Sequence, residues 1–330
     1  MEKIAKYIEE ARNIKPNSIN AYLINIKKVY QGLTGDYDPN ALSSAEDLNF
    51  LKDEEGVIDW LQDKALTTKK NYLTGIITTL NSIPDIPNGM GEYTDSLKFY
   101  RSKLEEYTEQ YNNIIDTNLK TEKQAKNWSS IKDLKKVLNS YKNDLLERGA
   151  FSKSELSKKQ FDILQKYVIG SLYVYEDNPP ARLSYGSMKI INNEEYNDLK
   201  YEELLEHNYI INKSRNSKFF HFGDYKTSKS YGIKKIPVGK KLNSILNIWF
   251  KYNKSDNFLI DSRGGIMTSN QLSKYLNKVF EPTGKKISAN MLRHIFISEN
   301  FPVKTELKKA VIADRMFHSV KTQSQYSKIL

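Results

Sequence analysis

The chain has 330 residues, 39% hydrophobic and 28% charged, with no cysteine and a net charge of +11. That length favours two domains, since a single core stops growing at roughly 250 to 300 residues. The absence of cysteine excludes disulfides and thiolate metal sites, and no apolar run reaches the roughly 18 residues that a membrane helix needs.

The charged, amphipathic start MEKIAKYIEEARNIK is unlike the apolar core of a signal peptide. With no targeting or membrane segment, the expected location is the cytoplasm or nucleus of a host, or a virion. The four histidines, His207, His221, His294 and His318, show no metal-ligand spacing, so no metal and no cofactor are expected. Charge is uneven: residues 1–130 sum to −4 and residues 131–330 to +15. A basic excess of this kind draws nucleic acid, and a lysine-rich solvated surface accounts for it equally well.

In chain order, NSINAYLINIKKVYQGL (17–33) places Ile19, Tyr22, Leu23, Ile26 and Tyr30 on one helical face beside Lys27 and Lys28. LTTKKNYLTGIITTLNS (66–82) repeats that pattern with Tyr72, Leu73, Ile76 and Leu80 behind a threonine cap. Pro84, Pro87 and Gly89 then break the chain, and a long polar helix is predicted from about 94 to 115. The stretch after it has little apolar pattern and reads as a linker at 119–129, between domains at 1–118 and 130–330.

The second domain opens with helices predicted at about 130–147 and 154–174. It continues through strand-like runs at HNYIINKS, KFFHFGDYKTS and IKKIPV, with turn signals at Asn216 and in SKSYG, and returns to helix from about 239. The fold class is mainly α with a small antiparallel sheet, an α+β arrangement.

Breaking a phosphodiester without metal needs a nucleophile, cations for the non-bridging oxygens and a proton for the leaving oxygen. Arginine suits the cationic task through its planar, permanently charged fork. Arg182 lies in NPPARLSYGSMKI, and Arg293 lies in ISANMLRHIFISENF, where Ser288 can cap a helix that carries Asn290 three residues before the arginine. Lys226 sits in GDYKTSKSYGIKKIPV, a predicted hairpin whose flexible lysine could reach a groove. Taken singly, each arginine reads as well as an ion-pair partner, and Lys226 as a solvated lysine beside Lys229, Lys234 and Lys235.

Taken in order, Arg182, Lys226, Arg293, His318 and Tyr326 resemble the tyrosine recombinase superfamily of the phage-integrase type. The most specific pieces are LRHIF, FHSVKTQSQY and PPARLSYGSM, the last similar to versions carried by large eukaryotic DNA viruses, virophages and related mobile elements. The resemblance covers about 150–330 strongly. It implies a helical core-binding domain followed by the catalytic domain, closing as a C-shaped clamp on double-stranded DNA.

It also implies a site-specific recombinase or integrase that cleaves and rejoins DNA without metal or ATP. Tyr326 would attack the scissile phosphorus, giving a 3′-phosphotyrosyl bond and a free 5′-hydroxyl. Arg182 and Arg293 would clamp the phosphate, His318 would add a hydrogen bond, and Lys226 would protonate the leaving oxygen. Lys27, Lys28, Lys69, Lys70, Tyr72 and Lys229 are the candidate DNA contacts. A monomer in solution that assembles to a dimer or tetramer on paired sites is the expected state.

Three departures from the family pattern stand out. Asn290 occupies the family's first histidine position and cannot accept a proton near neutral pH. The His318 to Tyr326 spacing is one residue short, and only SKIL follows Tyr326, too little for the helix with which many relatives dock on a neighbouring subunit. A type IB topoisomerase and a catalytically weak DNA-binding relative are the alternative functions.

Overall fold

The computed structural model describes all residues except 13, 39–40, 45, 84–92, 118, 176–177, 179, 301–311 and 327–330. The predicted break at Pro84, Pro87 and Gly89, the first proline of the PPARL pair and the SKIL tail lie outside the described residues. The chain divides into two compact units, Met1–Thr117 and Asn118–Leu330.

The first unit is helical: α1 (Glu2–Ala11), α2 (Pro16–Thr34), α3 (Glu54–Leu61), α4 (Leu66–Leu80) and α5 (Thr94–Asp116). Pro16 starts α2, where its missing N–H costs nothing, and Gly35 ends it in the left-handed conformation at φ 69°. Ile26 and Val29 of α2, Leu73, Ile76 and Leu80 of α4, and Tyr100 of α5 are buried together. Each such aliphatic side chain contributes about 1.5–3 kcal/mol. At Gly32 the indole of Trp60 occupies the space that a Cβ would need, so the α3 ring packs directly on the α2 backbone.

The second unit takes in residues 119–129. Residues Glu122–Asn127 form α6, closed by a Thr121–Gln124 capping box. Its end is tied down where the Lys286 amide donates to Asn127 Oδ1 at 2.8 Å and Lys285 donates to the Trp128 carbonyl. Then come α7 (Ile131–Glu147) and α8 (Lys158–Val174), both capped by serine. From Ile163 to Val174 every residue except the half-exposed Lys166 is buried, which makes α8 the central helix of the core.

Four strands follow: β1 (Lys189–Asn192), β2 (Asn208–Ser214), β3 (Ser217–Phe222) and β4 (Lys234–Pro237), hydrogen-bonded in that order. The expectation of an antiparallel sheet is corrected at one edge, because β1 runs parallel to β2, with Lys189 opposite Tyr209 and Asn192 opposite Asn212. The crossover that parallel pairing demands is supplied by α9 (Asn193–Asp198) and α10 (Tyr201–Glu206). These helices also cover one sheet face: Tyr196 packs with Tyr209 and Ile211, while Ile210, Phe220 and Phe222 face the main core.

His221 is a sheet residue. Its Nε2 donates to the Leu204 carbonyl at 2.7 Å, and its Nδ1 accepts from the Tyr196 hydroxyl at 3.0 Å. The turn α11 (Ser228–Tyr231) joins β3 to β4, and α12 (Lys240–Tyr252), α13 (Ser269–Val279) and α14 (Ala289–Asn300) close the core. Among the described residues, no helix is long and apolar enough to cross a membrane.

Candidate active site

Arg293 comes from α14, whose start is fixed by Ser288 accepting from the Met291 amide at 3.2 Å. The helix turns Leu292, Ile295 and Phe296 into the core and carries Arg293 with them, leaving it 1% exposed. Its Nη2 donates to the Met316 carbonyl at 3.3 Å, while Nε and Nη1 are buried with no hydrogen-bond partner among the described residues. Burial, and then the charge of Arg182, lower its pKa to about 10, with Tyr326 and Tyr173 acting against the shift. The guanidinium stays charged at neutral pH, so this is a buried cation with two donating nitrogens unused.

Arg182 precedes a 3₁₀ turn at Leu183–Tyr185, and its carbonyl accepts from the Tyr173 hydroxyl at 3.0 Å. Its Nε is likewise buried without a partner. Gly186, four residues on, has the Met267 carbonyl where a Cβ would stand, so only glycine lets this turn lie against that chain.

His318 follows a helix end with a Schellman pattern: the His318 amide donates to the Ala313 carbonyl and the Phe317 amide to the Asp314 carbonyl, both at 3.1 Å. Phe317 holds the left-handed position at φ 60°, where glycine is usual. A non-glycine residue there costs about 1–3 kcal/mol. The ring compensates by packing on Tyr225 at 4.4 Å and Phe222 at 4.9 Å between centroids. The Ser319 carbonyl lies 3.1 Å from His318 Nδ1, so that nitrogen carries the proton of the neutral ring and Nε2 keeps a lone pair. This Nε2 is buried without a partner. Burial, followed by the charges of Arg293 and Arg182, pushes the His318 pKa down to about 4.

Ser319 caps the short helix Val320–Ser324, and Tyr326 lies just beyond it with its amide on the Gln323 carbonyl at 2.9 Å. Tyr326 is 9% exposed, against Phe296, Ile297 and Met316. Three side chains surround its ring: the Arg293 Cζ at 4.9 Å, His294 at 4.8 Å and His318 at 5.3 Å between centroids.

Asn290 turns its Nδ2 to His294 Nε2 at 3.3 Å. Lys226 is exposed in the turn before α11, next to Thr227, whose hydroxyl donates to the Phe317 carbonyl at 2.8 Å. Lys229 is exposed in α11. In the first unit, Lys28 is exposed and Lys27 half-buried on α2, while Lys69 and Lys70 lie over the rings of Tyr107 and Tyr111 at 5.1 and 4.6 Å. Tyr72 is buried edge-on against Trp60, a core position and not a surface one.

Sequence reasoning did not single out His294, Gln124, Thr227 or Phe317 as site residues. A T-x-x-Q capping signal marks Gln124, and nothing in the sequence marks its contact with His294.

Among the described residues, the arginine and histidine side chains around one tyrosine hold four buried nitrogens without a hydrogen-bond partner, Arg182 Nε, Arg293 Nε and Nη1, and His318 Nε2. Its chemistry suits an oxyanion beside a hydroxyl nucleophile. No family model matches the chain, and no curated protein matches it. Among solved structures, a crystal structure of XerA recombinase is similar at a TM-score of 0.40 and 12% identity, the match covering 100% of this chain and 94% of that one.

Proposed function

We propose that the second unit is the catalytic domain of a tyrosine-type DNA strand transferase, a recombinase or integrase, with double-stranded DNA as substrate. The observation that carries this reading is the Arg293 guanidinium over the Tyr326 ring, with unpartnered nitrogens of Arg293, Arg182 and His318 in the same group. A buried cation with unused donors is expensive unless an anion fills the place, and a DNA phosphate is the anion that also explains the +15 of residues 131–330.

In this reading the Tyr326 oxygen attacks phosphorus, the 5′ oxygen leaves, and a 3′-phosphotyrosyl ester forms. The two arginines offset the charge on the non-bridging oxygens. Asn290 cannot take the phenol proton, and the His294 lone pair is already shared between two amide groups. His318 Nε2 takes it, and the new N–H then donates to a phosphate oxygen, whose charge favours the protonated ring. Lys226 gives its proton to the leaving 5′ oxygen. Attack by a second 5′-hydroxyl on the phosphotyrosine reverses each transfer, since the ester keeps the energy of the original bond.

Incubating the full chain with nicked suicide duplexes drawn from DNA flanking its own gene tests this proposal. A covalent adduct stable on a denaturing gel, with its label on the 3′ side of the break, is the expected result. A break with no attached protein would overturn it.

A further inference from the structure

We propose that His294 is a positioning residue that grips the nucleophile by its backbone, and that Gln124 of α6 fixes the ring state that lets it do so. The proposal rests on the assignment of Tyr326 as nucleophile.

The ring's two nitrogens face opposite demands. Nδ1 lies 3.1 Å from the Tyr326 carbonyl oxygen, which can only accept, so Nδ1 must carry a proton. The Ser298 hydroxyl reaches the same carbonyl at 3.5 Å. On the far side, Nε2 lies 3.2 Å from Gln124 Nε2 and 3.3 Å from Asn290 Nδ2.

Which end of the Gln124 amide faces the ring is settled by the capping box. Its Oε1 accepts from the Thr121 backbone N–H at 2.9 Å, while the Gln124 backbone N–H donates to Thr121 Oγ1 at 3.2 Å. The NH₂ group therefore faces His294 and can only donate, so Nε2 must hold a lone pair. Constraints at opposite ends of the ring thus select the same neutral Nδ1–H tautomer.

This arrangement gives Asn290 a role unlike that of a phosphate ligand. With its NH₂ donating to Nε2, it supports the His294 tautomer alongside Gln124. It also joins residues far apart in sequence: a capping box at the start of the second unit orients a ring 170 positions away, and that ring holds the carbonyl of the residue stacked under Arg293. A nucleophile held by its own backbone keeps its hydroxyl in line with phosphorus without occupying the hydroxyl itself. Misplacement by about 1 Å costs on the order of a hundredfold in rate.

The test is Gln124→Glu in the full chain. Glutamate keeps an oxygen for the Thr121 cap, so α6 is retained, but it presents a carboxylate oxygen to Nε2 in place of a donor. The His294 ring must then take a proton at Nε2. Nitrogen-15 spectra of histidine-labelled protein read this directly, with His294 assigned by its loss in His294→Gln. The wild type should show the neutral Nδ1–H form, and Gln124→Glu should move only that signal. The same substitution should slow covalent attachment to a nicked DNA duplex about ten- to a hundredfold while DNA affinity at matched salt stays within about twofold, since the phosphate contacts assigned to Arg182, Arg293 and His318 are not removed.

A wild-type spectrum with the proton on Nε2, or a Gln124→Glu protein with unchanged spectrum and unchanged attachment rate, would overturn the proposal. Absence of adduct from the wild type would overturn the nucleophile assignment instead, and the spectrum would still decide the tautomer independently.

Discussion

Thr227 donates its hydroxyl to the Phe317 carbonyl at 2.8 Å, and this bond ties the turn holding Lys226 to the residue that precedes His318. The Tyr225 and Phe317 rings pack at 4.4 Å beside it, so two segments some 90 residues apart are joined by a hydrogen bond and a ring contact. Thr227→Val keeps the shape and removes the bond. It should cost about 0.5–1.5 kcal/mol of stability and slow single-turnover DNA cleavage, with Thr227→Ser restoring both. Equal cleavage rates for the valine and serine variants would show that the bond does not position Lys226.

Lys226 itself is exposed, unlike Lys218, whose ammonium donates to the carbonyls of Ser214 and Arg215 and to Oδ1 of Asn243 and of Asn247. A lysine that protonates the leaving oxygen becomes dispensable when that oxygen is sulfur, since a thiolate leaves unaided. Lys226→Ala should cleave ordinary DNA slower by on the order of 10² to 10⁴ and a 5′-bridging phosphorothioate almost normally. Arg182→Ala and Arg293→Ala should not be rescued. Rescue of Lys229→Ala alone would move the general acid by three residues along the same turn.

The depressed pKa of His318 makes a signed statement about pH. Folding holds the ring neutral down to about pH 4, whereas an unfolded chain binds the proton near pH 6.5. Between those values the unfolded state binds more protons, so stability rises with pH through this window and is complete above it. The contribution lost on acidification is on the order of 3 kcal/mol. Burial lowers the pKa of His221 too, so the measurement is a difference. Urea unfolding of wild type and His318→Gln at pH 4.5 and 7 should show the wild type losing more stability on acidification. Parallel losses would place the proton elsewhere.

Much of this architecture is legible in the sequence, for local reasons. The 3.6-residue spacing of apolar positions marks α2, α4, α7 and α8 to within a few residues, because their buried faces are continuous. The strand β1 and the helices α9 and α10 are not seen: the helices are six residues each, under two turns, and β1 is KIIN, whose two adjacent isoleucines give no alternation. A capping signal, Asn192 to Glu195, announces α9, whereas α10 is preceded by a lysine, which cannot accept a hydrogen bond, and only the Glu203 carboxylate closes back, accepting from the Lys200 amide at 3.0 Å. The parallel edge follows from that omission, since without the crossover helices a sheet of hairpins is the natural reading.

Order along the chain brings Arg182, Arg293, His318 and Tyr326 to notice, and the fold gathers these four in one place. Hydrogen-bond partners across long separations, such as Gln124 with His294, leave no local trace. Tyr72 shows the reverse case: its spacing with Leu73, Ile76 and Leu80 already places it on the apolar face, and the core is where it lies.

The measurement that bears most directly on the proposed chemistry is covalent attachment by Tyr326→Phe. Only the hydroxyl is lost, while the cations and the ring beneath Arg293 remain. The variant should bind DNA with an affinity close to that of the wild type and form no adduct on a nicked suicide duplex. Undiminished protein–DNA adduct from Tyr326→Phe would contradict the account and assign the nucleophile to another of the chain's 22 tyrosines.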